Sequence, residues 1–343
     1  MNFADFSIWA NAALFTTAAA VVWIAGTQLA RYADSISEHT GVGREFLGIM
    51  LLGGVTSLPE LAVATTATFR GVPALSINDV LGSAAINVVI LAVADAVSGR
   101  RALTSVQGSP GVILQGVLGV TLLGIAAVPA IAGDRLLFGA GVSSWLMLGV
   151  YLAAIRLIAS SNTSRAWRPV GKGAGQSAST ADDDQSSSVR SLIVKTAIAG
   201  ASILVAGFLL ARTGEALAEQ SGLGTSFFGA VLLALATSLP EWSTVIAAVR
   251  LRRYEMAISD IFGTNLFNVT IIVVVDLLHS GNPVLLEAGP FAAFGALLAA
   301  LLTLLFLVGL LERRDRTVLR MGWDSCAVLL GYCGGLVVLY RLG

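Results

Sequence analysis

Of the 343 residues, 56% are apolar and only 12% are charged, and Lys plus Arg balance Asp plus Glu to a formal net charge of zero. That composition excludes an ordinary soluble domain, and the neutral balance gives no charge-based reason to expect a nucleic-acid partner. It fits an all-α polytopic membrane protein whose surroundings are the lipid bilayer, where backbone polar groups must be satisfied within each spanning segment.

The N-terminus, Met1-Asn2-Phe3-Ala4-Asp5, has no basic region, and the apolar run behind it reaches Ala30, long for a signal-peptide core. It reads as the first spanning helix. Crossing a hydrocarbon core takes about 20 apolar residues, and stretches of this kind place helices at 8–30, 46–70, 74–98, 110–131, 137–159, 191–213, 225–250, 255–279, 288–311 and 323–341. Between the fifth and sixth, residues 160–190 are rich in Ser, Gly, Ala and Asp and almost lack large apolar side chains, so they cannot bury enough surface to fold alone. The expected organisation is a five-helix half at 1–159, a flexible linker at 160–190 and a second five-helix half at 191–343. Asp182-Asp183-Asp184 reads as solvated linker charge. Cys326 and Cys333 have no His or acid at ligand spacing and read as small apolar residues, while His39 and His279 read as surface residues near helix ends.

With ten helices, Arg31, Arg44, Arg100, Arg101, Arg165, Arg168, Lys172, Arg190, Arg250, Arg252, Arg253, Arg313, Arg314, Arg316 and Arg320 fall on one face of the membrane. Arg70, Arg135, Arg212 and Arg341 fall on the other. The positive-inside rule predicts the first face to be cytoplasmic, with the linker inside and both termini outside.

One stretch occurs twice. Residues 46–60 read FLGIMLLGGVTSLPE and residues 227–241 read FFGAVLLALATSLPE, an offset of 181 residues. The same offset aligns Leu29-Ala30-Arg31 with Leu210-Ala211-Arg212, Asp79 with Asp260, Gly82-Ser83 with Gly263-Thr264, Asn87 with Asn268, and Asp95 with Asp276. The match needs no gap over about seventy residues, and because polar positions recur it is a duplication rather than a shared taste for apolar residues. Five helices per copy is odd, so the second copy enters the membrane from the opposite side. Inverted repeats of this kind build midplane sites from interrupted helices in many secondary transporters.

The two blocks, 46–98 and 227–279, carry the chemistry. Glu60 and Glu241 lie in the middle of apolar segments, where an ionisable group has to face a cavity, a partner or an ion. Pro59 and Pro240 each remove a helix N–H and free backbone carbonyls beside them. Asp79, Ser83 and Asn87 share one helical stripe, as do Asp260, Thr264 and Asn268. Glu60, Glu241, Ser83, Thr264, Asn87 and Asn268 come nearest the midplane, with Asp79 and Asp260 about 10 Å towards the outer and inner surface respectively. Such an all-oxygen donor set suits a hard cation, and Ca²⁺ better than Mg²⁺, which gives up its water reluctantly.

These blocks resemble the alpha repeats of the cation/calcium exchanger superfamily, nearest to its compact ten-helix sodium/calcium exchangers. The family pattern is approximately G-T-S-L-P-E followed by G-N-x-x-G-S-N-x-x-N. This chain has V-T-S-L-P-E with N-D-V-L-G-S-A-A-I-N, and A-T-S-L-P-E with S-D-I-F-G-T-N-L-F-N. The resemblance implies an antiporter that moves Ca²⁺ against Na⁺ or H⁺ by alternating access, with no enzymatic chemistry and no cofactor. It further implies that Glu60, Glu241, Ser83, Thr264, Asn87, Asn268, Thr56, Thr237, Ser57 and Ser238 hold the ions, with backbone carbonyls of Gly53 and Ala234. Val55 and Ala236 stand where the family has Gly, Ala84 where it has Asn, and Asn closes both stripes where sodium/calcium members often have one acid. Two glutamates balance one Ca²⁺ or two protons, so charge leans towards a proton and the overall resemblance towards Na⁺. Asp79 and Asp260 are candidates for acidic waypoints on the two access paths, or for caps in the first turn of their helices. A channel or membrane sensor is the competing class, but a channel usually draws its pore from several subunits.

Overall fold

The protein is described by a computed structural model over residues 3–98, 103–106, 109–161, 188–220, 234–312, 317–318 and 321–342. Most of the linker expected at 160–190, and the start of the second motif block at 227–233, lie outside the described residues.

Ten helices occur among the described residues. In the first half they are α1 (Ile8–Thr40), α2 (Arg44–Phe69), α3 (Pro73–Ser98), α4 (Pro110–Ala132) and α5 (Val142–Ser161). The second half has α6 (Val189–Gln220), α7 (Leu239–Arg250), α8 (Tyr254–Leu278), α9 (Val284–Glu312) and α10 (Trp323–Leu342). Eight are long and apolar enough to cross a membrane; the apolar part of α5 and the described part of α7 are shorter. The chain is an all-α, multi-pass membrane protein.

The internal repeat extends far beyond the seventy residues legible as sequence. Helix starts recur at the same 181-residue offset from Ile8 to Val189, Leu58 to Leu239, Pro73 to Tyr254 and Val142 to Trp323. Even the small hairpins coincide. β1 (Leu136–Leu137) pairs antiparallel with β2 (Ala140–Gly141), and β3 (Thr317–Val318) with β4 (Met321–Gly322), at the same displacement.

Three helices depart from the apolar-window reading. α1 and α6 run to Thr40 and Gln220 rather than to 30 and 213, because apolarity marks the part in lipid whereas the helix goes on while it has neighbours: Ala33, Asp34 and Ser37 are still buried. α1 stops at Gly41, whose φ of 72° is a left-handed conformation open to glycine and whose N–H bonds the Ser37 carbonyl. α9 starts at Val284 and is interrupted at Gly289 (φ 68°, ψ −158°) ahead of Pro290.

α3 and α8 form the centre, with 72% of the apolar window of each buried, against 22% for α1 and α10, which face outward. α1 and α6 pack on each other and lie across the two motif helices. Glycines permit those crossings: a Cβ on Gly26 of α1 would come 3.2 Å from the Pro240 carbonyl, and one on Gly207 of α6 would come 2.7 Å from Pro59 Cβ.

Two buried carboxylates tie the halves together. Asp95 accepts from the N–H of Leu103 in its own half (2.5 Å), and from Gly322 N–H (2.6 Å) and Ser325 Oγ (2.7 Å) in the other. Asp276 accepts from Val284 N–H (2.9 Å), Gly141 N–H (2.7 Å) and Ser144 Oγ (2.5 Å). Every partner is displaced by the repeat offset, so the halves exchange the same bonds about a pseudo-twofold axis.

Candidate cation site

Each motif helix is broken at the motif serine. Ser57 (φ −78°, ψ −4°) and Ser238 (φ −82°, ψ 5°) turn away from regular helical geometry, and a new helix starts with Pro59 or Pro240 in its first turn, where the missing N–H does no harm. In the first half the break is preceded by a π-turn over Gly48–Gly53, so the segment at 46–70, expected to be interrupted at Pro59, has a second joint ahead of it. The π-turn lies against the backbone of α8. A Cβ on Gly53 would come 2.7 Å from Thr264 N, and one on Gly263 within 3.1 Å of the Ile49 carbonyl.

This jointing brings the predicted residues together. Glu60, Glu241, Thr56, Thr237, Ser57, Ser238, Ser83, Thr264, Asn87 and Asn268 are all fully buried, and they come from α2, α3, α7, α8 and the turn ahead of α7. Thr56 Oγ1 lies 3.3 Å from Thr264 Oγ1, and Thr237 Oγ1 lies 3.5 Å from Ser83 Oγ. These two contacts are one contact repeated by the pseudo-twofold axis, so each motif threonine meets the stripe of the opposite half. None of the four carboxylate oxygens of Glu60 and Glu241 has a hydrogen-bond partner among the described residues. Ser238 Oγ, Asn87 Oδ1 and both amide atoms of Asn268 are in the same position.

Unpaired buried carboxylates are expensive to keep, each well above the cost of a neutral polar group. A cluster of them with hydroxyl and amide oxygens, and no ion pair to either glutamate among the described residues, matches the donor set of a hard cation.

The two backbone donors fit less well. The Gly53 carbonyl already accepts from Ser57 N (3.3 Å) and Ser57 Oγ (2.8 Å), and the Ala234 carbonyl from Ser238 N (3.0 Å) and Thr237 Oγ1 (3.2 Å). In this conformation both are occupied, because the hydroxyls that follow fold back on them.

Asp79 and Asp260 are buried as well, at 1% and 0% exposure. Asp79 Oδ1 accepts from the motif hydroxyl of Thr237 at 3.5 Å, and Asp260 Oδ2 accepts from Thr244. Neither is a first-turn cap: α3 starts at Pro73 and α8 at Tyr254, more than a turn earlier. Thr244 and Asn265 are the residues of this cluster that sequence reading missed. Asn265 sits beside the α8 stripe rather than on it, and Thr244 follows Glu241 by less than one turn; only the offset comparison, with Ala84 and Val63 in their places in the first half, marks them as polar where the other copy is not.

Fold and cluster together define a class: a multi-pass membrane protein of two inverted five-helix repeats enclosing an oxygen-rich polar centre. The family model for sodium/calcium exchanger protein matches residues 10–157 and 191–341. The chain therefore belongs to the sodium/calcium exchanger protein family, a family of exchangers and not of catalytic enzymes. Among curated relatives, the putative antiporter CaxA of Alkalimonas amylolytica is 23% identical over 319 residues, covering 90% of this chain and 92% of the relative. The inner membrane protein YrbG of Escherichia coli K12 is 26% identical over 259 residues, covering 75% and 74%. Among solved structures, the sodium-calcium exchanger NCX_Mj superposes with a TM-score of 0.72 at 17% identity, over 96% of this chain and 99% of that one, a likeness of fold.

Proposed function

We propose that the protein is a secondary antiporter that exchanges Ca²⁺ for Na⁺ across the membrane by alternating access. The observation that carries this reading is the pair Glu60 and Glu241, both fully buried and with no hydrogen bond within 3.5 Å to any of their four carboxylate oxygens among the described residues. In hydrocarbon surroundings such oxygens need a cation to face. Ser83, Thr264, Asn87, Asn268, Thr56, Thr237, Ser57 and Ser238 complete the oxygen shell. The Gly53 and Ala234 carbonyls join it only when the motif serine or threonine turns away.

The structure bears on the coupling ion through Asp79. Two glutamates alone neutralise one Ca²⁺ and leave three Na⁺ in excess of charge, but Asp79 beside Thr237, and Asp260 beside Thr244, bring further carboxylate charge to the cluster. That supports Na⁺ over H⁺. The arrangement favours a carrier over a channel, since one chain already closes the polar centre from both halves. The positive-inside distribution supports a cytoplasmic linker and outer termini. Asp34, Arg44 and Arg253 meet at one end of the bundle, while Arg70 and Arg212 line a common cavity at the other, as that distribution requires.

The test is ⁴⁵Ca²⁺ flux in proteoliposomes. An outward Na⁺ gradient should drive uptake where an equal proton gradient does not, and unlabelled internal Ca²⁺ should accelerate uptake of the label. Uptake driven by the proton gradient alone would replace Na⁺ with H⁺, and uptake insensitive to internal Ca²⁺ would replace the carrier with a channel.

A further inference from the structure

The two closing asparagines are not held alike. Asn87 Nδ2 donates to Asn265 Oδ1 at 2.9 Å, and Asn265 Nδ2 donates to the Ala84 carbonyl at 3.1 Å. The direction of this relay does not depend on how either amide is assigned, because it ends on a backbone carbonyl, which only accepts. Asn265 must turn its nitrogen to Ala84, so its oxygen faces Asn87, and Asn87 must answer with its nitrogen. What remains is Asn87 Oδ1, buried and unpartnered among the described residues.

On the other side of the pseudo-twofold axis the relay is missing. The position equivalent to Asn265 is Ala84, and Asn268 has no hydrogen-bond partner for either amide atom among the described residues. Its amide is free to present oxygen or nitrogen.

We infer that Asn265 is a positioning residue: it turns the Asn87 amide so that the carbonyl oxygen, not the N–H₂ group, faces the bound cation. It does not touch the ion itself. An amide nitrogen carries only donors and repels a cation, so an unheld amide at this depth spends part of its time as a poor ligand. Asn87 is thus a fixed ligand and Asn268 an adaptable one, a difference suited to a site that must accept a divalent ion and release it for monovalent ones. The inference rests on the reading of Asn87 as an ion ligand.

Equilibrium ⁴⁵Ca²⁺ binding to the purified full chain tests it. Asn265→Ala, which copies the residue of the other half, should weaken Ca²⁺ binding roughly fivefold to tenfold, the effect of one buried hydrogen bond. In an Asn87→Asp background the same substitution should change affinity less than about twofold, because a carboxylate presents an oxygen whichever way it turns. In an Asn268→Asp background the full weakening should return. Equal weakening in all three backgrounds would make Asn265 a packing residue and overturn the inference, as would unchanged affinity in the parent. Asn265→Leu fills the same space without polar atoms and serves where the alanine variant does not accumulate; it should weaken binding to the same extent. Glu60→Gln separates the two readings: if it binds Ca²⁺ like the parent the site itself is misplaced, whereas lost binding in Glu60→Gln with unchanged binding in Asn265→Ala refutes the positioning role alone.

Discussion

At Asp95 and Asp276 the two halves of the chain make the same three hydrogen bonds with the roles of the repeats exchanged. At the polar centre they do not match. Thr244 bonds Asp260 where the first half has Val63 at the equivalent position, and Asn265 holds Asn87 where the equivalent Ala84 offers Asn268 no such bond. The ends differ more. Arg44 and Arg253 both pair with Asp34 and Glu38, at 2.6 to 3.0 Å, whereas at the other end Arg212 pairs with Glu215. The acids recur in both halves, since Asp34 and Glu38 correspond to Glu215 and Glu219. The two bases that pair with them in the first half do not, since Arg44 corresponds to Thr225 and Arg253 to Val72, while Arg212 recurs as Arg31. Scaffold positions stay paired because each carboxylate must satisfy donors from both halves. Positions at a shared site can diverge, because one copy of each is enough to serve a single ion.

The sharpest way to break this comparison is at the glutamates. Glu60→Gln and Glu241→Gln should each abolish exchange while leaving folding and insertion intact, since one carboxylate leaves a divalent ion undercompensated in low dielectric. Near-parent ⁴⁵Ca²⁺ flux in either variant would mean that the cation site is misplaced.

The scaffold comes next. Asp95→Asn and Asp276→Asn each turn an amide donor towards backbone N–H groups that need an acceptor, and each should lower stability by about 1–3 kcal/mol. The measurement is the thermal unfolding midpoint in detergent. Similar losses confirm that the exchanged bonds are equivalent, and a loss confined to one variant breaks the symmetry.

A severalfold effect is expected at the ends. Asp34→Asn leaves Arg44 and Arg253 paired with Glu38 alone and loosens the bundle at that end, which favours the state open to that face, so the apparent Ca²⁺ affinity measured from that face should rise and that from the opposite face should fall. Glu215→Gln should shift neither appreciably, because it removes one partly exposed pair within a single helix, and such a pair contributes only about 0–1 kcal/mol.

The smallest effects belong to Asp79 and Asp260. As acidic waypoints they should act one-sidedly, Asp79→Asn slowing uptake from the outer face and Asp260→Asn slowing loading from the inner face by a few-fold, with equilibrium Ca²⁺ binding largely kept. Because Asp79 borders Thr237, the structure also allows a direct share in binding. Equal loss of affinity from both faces would establish that role and retire the waypoint.

Sequence alone determined the helices, their number and the inverted repeat, since apolar length, proline placement and the recurrence of polar positions are local properties that survive without neighbours. It also named the glutamates, hydroxyls and closing asparagines of the candidate site, because polar groups in apolar segments are conspicuous wherever they occur. Only the tertiary structure decided which of these residues meet. The repeat offset put Thr56 level with Thr237, but the axis that carries Thr56 to Thr264 and Thr237 to Ser83 is a property of packing. Packing also extended α1 beyond its apolar stretch, moved Asp79 from an outlying stripe to the side of a motif threonine, occupied the carbonyls of Gly53 and Ala234, and gave Asn265 a task that lies off its helix's polar stripe. These are contacts between residues far apart in the chain, and no periodicity along one helix records what the neighbouring helix presents.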